Sequence, residues 1–276
     1  PRSWILLASC LLAVVDTSAL LAQNWPQFRG PTGDGSVVGK KLVASWKEDQ
    51  NIRWKVPVPG AGWSSPVIWG EQIWVTSARN EGRELYAQCV TRQGELVHDV
   101  KVFDVEKPEV KNALNSFASP TPAIEEGRLY VHFGTYGTAC LDTGSGEILW
   151  ARRDLTLDHQ EGPGSSVILH GDHLIFHCDG RDIQYLVALN KQTGKTAWKT
   201  TRSIDLSMVG DFARKAFSTP LIVTDGGVAQ LVSPAAQGCY SYDPTTGKEL
   251  WHIRYSGFSA VPSPLFAMGR VHVITD

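Results

Sequence analysis

Asp142-Thr143-Gly144-Ser145-Gly146-Glu147-Ile148-Leu149-Trp150 decides the fold, because it recurs. It aligns with Asn190-Lys191-Gln192-Thr193-Gly194-Lys195-Thr196-Ala197-Trp198 and with Asp243-Pro244-Thr245-Thr246-Gly247-Lys248-Glu249-Leu250-Trp251. A worn copy runs from Thr91 through Gln93-Gly94-Glu95-Leu96 to His98. The shared glycines Gly94, Gly146, Gly194 and Gly247 stand 52, 48 and 53 residues apart, a spacing typical of stacked supersecondary units. An Asp or Asn at the first position accepts hydrogen bonds from backbone N–H groups two residues on and closes an Asx turn, and the later glycine supplies the positive φ of a tight hairpin. The tryptophan four residues after that glycine then lands on an outermost strand, where its face fills the wedge against the next unit. Trp150, Trp198 and Trp251 are read as packing residues.

A second marker opens each unit: Ser64-Ser65-Pro66, Ser119-Pro120-Thr121-Pro122, Ser165-Ser166, Ser218-Thr219-Pro220 and Ser263-Pro264. Each is followed by a short apolar stretch, a turn and a second apolar run such as Ile73-Trp74-Val75 or Leu174-Ile175-Phe176. One unit therefore reads as four short strands. The expected fold is all-β, a β-propeller of four-stranded antiparallel blades that is incomplete in this chain, with about 4.5 blades. The whole blades are expected near Trp63–Phe103, Ser119–Arg153, Gly164–Thr201 and Phe217–Tyr255. Arg53-Trp54-Lys55-Val56-Pro57-Val58 echoes a blade end and is expected as a lone closing strand. Its companions would lie in a parent longer by at least about 80 to 150 residues, judged from the blade period.

The D-x-x-T-G-x-x-x-W pattern, with Ala188-Leu189 ahead of it in one copy, resembles the repeat of the PQQ-like (pyrroloquinoline quinone) propeller family. That family includes the quinoprotein alcohol dehydrogenases and the outer-membrane assembly lipoprotein of the β-barrel machinery. Asn24-Trp25-Pro26-Gln27-Phe28-Arg29-Gly30-Pro31 also resembles the start of many exported proteins with such repeats. For a dehydrogenase the resemblance implies PQQ, a calcium site of Glu, Asn and Asp, and commonly a disulfide between adjacent cysteines against the cofactor. The five cysteines, Cys10, Cys89, Cys140, Cys178 and Cys239, contain no adjacent pair and no C-x-x-C. Export permits disulfides among them, and buried free thiols are the simpler reading.

The 276 residues are 42% hydrophobic and 20% charged, which excludes disordered and collagen-like classes. A formal net charge of -2 leaves no basic field for nucleic acid. Arg2, the apolar run from Trp4 to Val15 and the small-residue stretch ending at Ala22 have the grammar of a signal peptide, and the run is too short to span a bilayer. The domains expected are a signal at 1–22 and a C-terminally truncated propeller at 23–276, exported to the periplasm or beyond, with no membrane span in the mature form. Leu7-Ala8-Ser9-Cys10 also has the form of a lipoprotein box, although the apolar run continues past Cys10.

In such a fold the connections from the last strand of one blade to the first of the next gather round one mouth of the channel, where sites are built on loops. Asn112, Asn115, Asp158, His159, Gln160, Glu161, Asp211, Arg214 and Lys215 are the polar residues of those connections, and Asn115, His159, Glu161, Arg214 and Lys215 are the binding candidates. For an anionic ligand, Arg214 and Lys215 would be the grip and His159 the group titrating near neutrality. Zinc at His159 lacks H-x-x-x-H, H-E-x-x-H or a cysteine partner. Asp179-Gly180-Arg181-Asp182 is explained by a hairpin turn rather than a calcium loop. No G-x-S-x-G or phosphate loop occurs, so no catalytic, cofactor or metal residue is assigned. The resulting expectation is a non-enzymatic scaffold with a protein or saccharide partner at the channel mouth. The alternatives are a PQQ- and calcium-dependent alcohol or sugar dehydrogenase and an outer-membrane protein assembly subunit.

Overall fold

The computed structural model describes residues 24–37 and 42–275, so the signal-like segment and Cys10 lie outside the described residues. Four antiparallel four-stranded sheets follow one another along the chain. The first holds β1 (Val67–Trp69), β2 (Gln72–Arg79), β3 (Glu84–Thr91) and β4 (Leu96–Asp104), and the second β5 (Ala123–Glu125), β6 (Arg128–His132), β7 (Thr138–Asp142) and β8 (Ile148–Arg152). The third holds β9 (Ile168–His170), β10 (His173–Asp179), β11 (Gln184–Asn190) and β12 (Thr196–Thr201). The fourth holds β13 (Leu221–Asp225), β14 (Val228–Ala235), β15 (Gly238–Tyr242) and β16 (Glu249–Arg254), and the hairpin of β17 (Leu265–Ala267) and β18 (Arg270–His272) begins a fifth. The chain is an incomplete β-propeller.

The repeated turns form as their chemistry requires. Asp142 Oδ1 accepts from the N–H groups of Gly144 and Ser145 at 2.9 and 2.8 Å, Asn190 Oδ1 from Gln192 and Thr193 at 3.1 and 3.0 Å, and Asp243 Oδ1 from Thr245 and Thr246 at 2.7 and 3.1 Å. In every blade the third and fourth strands slip register at the same point, beside Val90, Leu141, Leu189 and Tyr242.

Each turn seats the tryptophan of the blade before it. The Trp150 indole donates to the Lys191 carbonyl at 3.0 Å, and a Cβ on Gly194 would stand 2.7 Å from that ring. Trp198 repeats the arrangement on Pro244 and Gly247. His98, where the worn copy ends, takes the same place against Gly146. Trp54 does so against Gly94 and donates to the Arg92 carbonyl at 2.7 Å. The expected closing strand is thus represented by its docked tryptophan, whereas residues 52–59 make no strand ladder.

The core lies in the wedges between blades. One cluster joins Trp74, Leu85 and Phe103 to Leu129, Phe133 and Leu141; the next joins Tyr130 and Cys140 to Leu174, Phe176 and Val187; a third joins Ile175, Leu186 and Trp198 to Leu231, Tyr240 and Tyr242. Burying a side chain of this size contributes roughly 1.5–3 kcal/mol, so the interfaces hold the blades in a row. The serine and threonine marker adds a polar belt. Ser65 N–H donates to Thr121 Oγ1, Thr121 N–H to Ser166 Oγ, and Ser166 N–H to Thr219 Oγ1, at 2.9, 2.9 and 3.0 Å. One hydroxyl per blade therefore links each inner strand to the next.

The segment Asn24–Gly35 straps the inner strands at the opposite end from the mouth. Trp25 exchanges two backbone hydrogen bonds with Ile68 of β1, Pro26 accepts from Ile124 of β5 at 2.8 Å, and Gly33 packs on Leu221 of β13. Gly30 lies at φ +79 under the Trp25 ring, where a Cβ would be 2.7 Å from it, so glycine is required there. Cys89, Cys140, Cys178 and Cys239 are all free and buried. Burial pushes their thiols up, to about 12 at Cys178 and about 11 at the others, which makes them packing residues rather than nucleophiles.

Candidate functional site

Five connections meet round a cavity of about 720 Å³: Trp63 lies ahead of β1, Asn112, Leu114, Asn115 and Ser119 between β4 and β5, and Glu161 and Gly164 between β8 and β9. Phe212, Lys215 and Phe217 come from the connection between β12 and β13, and Ser259 and Val261 from the one after β16. The polar groups hold the connections to one another. Asn115 Nδ2 donates to the carbonyls of Glu161 and Pro163 at 2.7 and 3.2 Å, while its Oδ1 accepts from Ser116 N–H at 2.8 Å. Asn112 Nδ2 donates to Glu161 Oε2 at 3.0 Å. Phe217 N–H donates to the Ala260 carbonyl and Ser259 N–H to the Lys215 carbonyl, at 2.8 and 2.9 Å.

Asn115, Glu161 and Lys215 are therefore brought to one cavity, and His159 and Arg214 are not. Arg214 folds back on its own loop, donating to the Val209 carbonyl at 2.7 Å. His159 is buried one layer below, with Nε2 accepting from Thr135 N–H at 3.0 Å, which leaves its proton on Nδ1. Gly134, at φ +59, permits that approach. Burial lowers the His159 pKa to about 4, and the field of His177 adds to the effect, so the ring is neutral rather than poised near pH 7.

Beneath the mouth, His132, His159 and His177 border a cavity of about 10 Å³. Asp179 accepts from Arg202 Nε at 3.1 Å and Nη2 at 2.6 Å, and meets His177 Nδ1 on its other side. Arg202 also reaches Ser233 Oγ at 2.8 Å. Burial alone would raise the Asp179 carboxyl, but Arg202 and His177 outweigh it and hold the pKa at about 2. This ion cluster escaped sequence reasoning, which took Asp179 only as part of a turn. The signal available was His177 and Asp179, two residues apart and so on one face of an otherwise apolar strand. The turn itself forms, with Gly180 N–H donating to the Ile183 carbonyl at 2.8 Å. The apolar lining of the mouth has no local signature either, because Trp63, Leu114, Phe212 and Val261 come from four separate connections.

A family model described as outer membrane protein assembly factor BamB matches residues 89–230 and 184–276. The chain belongs to this family of PQQ-like repeat propellers. No curated protein matches it in sequence. Among solved structures it is similar to the quinohemoprotein alcohol dehydrogenase of Comamonas testosteroni, with 13% identity over 93% of this chain and 46% of that one, at a TM-score of 0.61. It is similar to the quinohemoprotein alcohol dehydrogenase ADHIIG of Pseudomonas putida HK5, with 12% identity, 80% and 39% coverage and a TM-score of 0.53. BamB of Moraxella catarrhalis is also similar, with 14% identity, 80% and 70% coverage and a TM-score of 0.50. These likenesses establish the propeller fold of the family, and the chain spans less than half the length of either dehydrogenase.

Whether the residues present suit a quinone and its metal is a separate matter. Among the described residues no three His, Cys, Asp or Glu side chains group as metal ligands. Glu161 and Asn115, the carboxylate and amide at the mouth, are engaged with neighbouring connections. They do not form the Glu, Asn and Asp set that calcium chemistry asks for. No helix among the described residues is long and apolar enough to cross a membrane.

Proposed function

We propose that the chain is a non-enzymatic, exported binding scaffold whose channel mouth receives a protein or saccharide partner. The observation behind this reading is the mouth itself. Four of the five connections present Trp63, Leu114, Phe212 and Val261 to solvent round one 720 Å³ cavity, while the polar groups of the mouth are engaged in holding the connections together. A contiguous apolar surface rimmed by polar groups is what an interaction site offers, and the signal-like opening supports export. The family description favours a protein partner. An outer-membrane assembly role is one form of this reading; retention of quinone would instead favour a PQQ- and calcium-dependent dehydrogenase.

Two measurements on the full-length protein test it. A photo-crosslinking residue placed in cells at Leu114 is expected to yield a discrete adduct that the same residue at Val228, exposed on the β13–β14 hairpin, does not. Identical adducts from both positions would count against a specific mouth. Reconstitution with PQQ and Ca²⁺, followed by desalting, is expected to leave no bound quinone and no dye reduction with alcohols or sugars. Stoichiometric quinone with turnover would replace the scaffold reading with the dehydrogenase one.

A further inference from the structure

One buried cation at the mouth makes no ion pair among the described residues. Lys215 is 1% exposed, and its Nζ donates to two neutral acceptors, Gln160 Oε1 at 3.0 Å and the Phe212 carbonyl at 2.8 Å. The Phe212 ring lies 3.5 Å from it. An ammonium carries three donors, so one N–H remains. The neighbouring carboxylates are engaged elsewhere: Arg181 pairs with Asp158 and Asp211, and Asn112 holds Glu161. Burial lowers the Lys215 pKa; the fields of Glu161, Asp211 and Asp158 oppose that only in part, and Arg181 works against them. A charge so well covered is costly unless something negative meets it.

What surrounds that charge says what the negative group is attached to. Trp63, Leu114, Phe212 and Val261 are 67, 89, 49 and 64% exposed. An enclosed small-molecule site covers most of its ligand, whereas side chains standing this far into solvent form an open platform. Aromatic anchors round one desolvated charge have the anatomy of a hot spot for a polypeptide.

We propose that the mouth recognises an extended acidic and apolar segment of a protein partner, with one carboxylate side chain received by Lys215 Nζ and its apolar neighbours laid over Trp63, Leu114, Phe212 and Val261. This names the partner chemistry of the scaffold reading and rests on it. A neutral or basic segment would cover the platform yet leave Lys215 uncompensated, so the charge supplies specificity as well as affinity.

A double-mutant cycle on the full-length protein tests the assignment. The probe is a dye-labelled peptide, Gly-Ser-Leu-Val-Glu-Phe-Leu-Ser-Gly, together with the same peptide carrying Gln for Glu, titrated by fluorescence anisotropy. The wild-type protein is expected to bind the Glu peptide about tenfold or more tightly than the Gln peptide. In Lys215→Met that ratio is expected to fall to about one, through weaker binding of the Glu peptide alone. Equal binding of the two peptides by the wild type overturns the proposal, as does a ratio that survives in Lys215→Met. The wild-type ratio needs no variant, so a Lys215→Met protein that fails to fold leaves the test intact. If neither peptide binds while Leu114 still crosslinks a partner, the acidic segment is wrong and the scaffold stands. If both fail, both readings fall.

Discussion

Arg202 and Lys215 are two buried cations thirteen residues apart, and they are housed in opposite ways. Arg202 lies between the third and fourth blades with Asp179 chelating its guanidinium and Ser233 taking another donor. Lys215 lies at the mouth with two carbonyl-type oxygens and an aromatic ring. The first is a neutralised cluster that belongs to the fold. The second is complete in packing and incomplete in charge, which is the condition expected of a group kept for an outside partner. Burial by itself therefore does not separate structure from function here; the partner list does.

That contrast can be broken most directly at Asp179. Asp179→Asn removes the carboxylate and strands Arg202, and a loss of about 3–5 kcal/mol is expected in urea unfolding of the full-length protein. An Asp179→Asn protein as stable as the wild type would show that the cluster is not structural. Trp198→Ala vacates the seat on Gly247 between the same two blades, and a loss of about 3–5 kcal/mol follows from truncating a buried tryptophan, read as an earlier unfolding midpoint.

Acid separates the same regions by proton linkage. His159 has a folded pKa of about 4 against an ordinary 6.5, so the unfolded chain takes up a proton that the folded one refuses. Its contribution is intact above pH 6.5 and is lost as pH falls toward 4, by about 3 kcal/mol in all. Asp179, held at about 2, contributes above the ordinary carboxylate pKa and is lost only below about pH 4. Thermal melts between about pH 7.5 and 4.5 should therefore show a decline that His159→Gln reduces and Asp179 does not shape. Lys215, whose pKa burial also lowers, has the same sign of pH dependence as Asp179 at the other end of the scale, because its penalty on the folded state is relieved as pH rises toward the ordinary lysine value.

The smallest expected effect is on the stability of Lys215→Met. Replacing an uncompensated buried charge with an apolar side chain is expected to change stability by no more than about 1 kcal/mol, or to increase it. A loss as large as that of Asp179→Asn would make Lys215 a strut for Gln160 and Phe212 and erase the contrast.

Legibility in the sequence followed the reach of each interaction. The Asx turns at Asp142, Asn190 and Asp243 close within three residues, so their chemistry is written locally. The seats of Trp150 and Trp198 were readable because the same pair recurs at a fixed spacing, even in the worn copy where His98 stands in, whereas Trp251, read in the same way, is 37% exposed and donates to Gln230 of its own blade at 2.9 Å. Arg202 and Asp179 meet across the end of the third blade, 23 residues apart in sequence, and nothing local to either announces the other. His159 was the hardest case. Asp158 and Glu161 beside it suggest solvent, yet its burial is decided by Thr135 and Gly134 on a neighbouring blade.

The strap from Asn24 to Gly35 sets an order of events. It is made before any blade, yet its seat is assembled from β1, β5 and β13, and Gly33 must wait for Leu221, 188 residues later. At a synthesis rate on the order of 5–20 residues per second, the strap spends roughly ten seconds or more without its last contact. Loop closure over such a separation is slow to reward, so docking of the strap is expected to be the late step that locks a row of stacked blades into one cooperative unit.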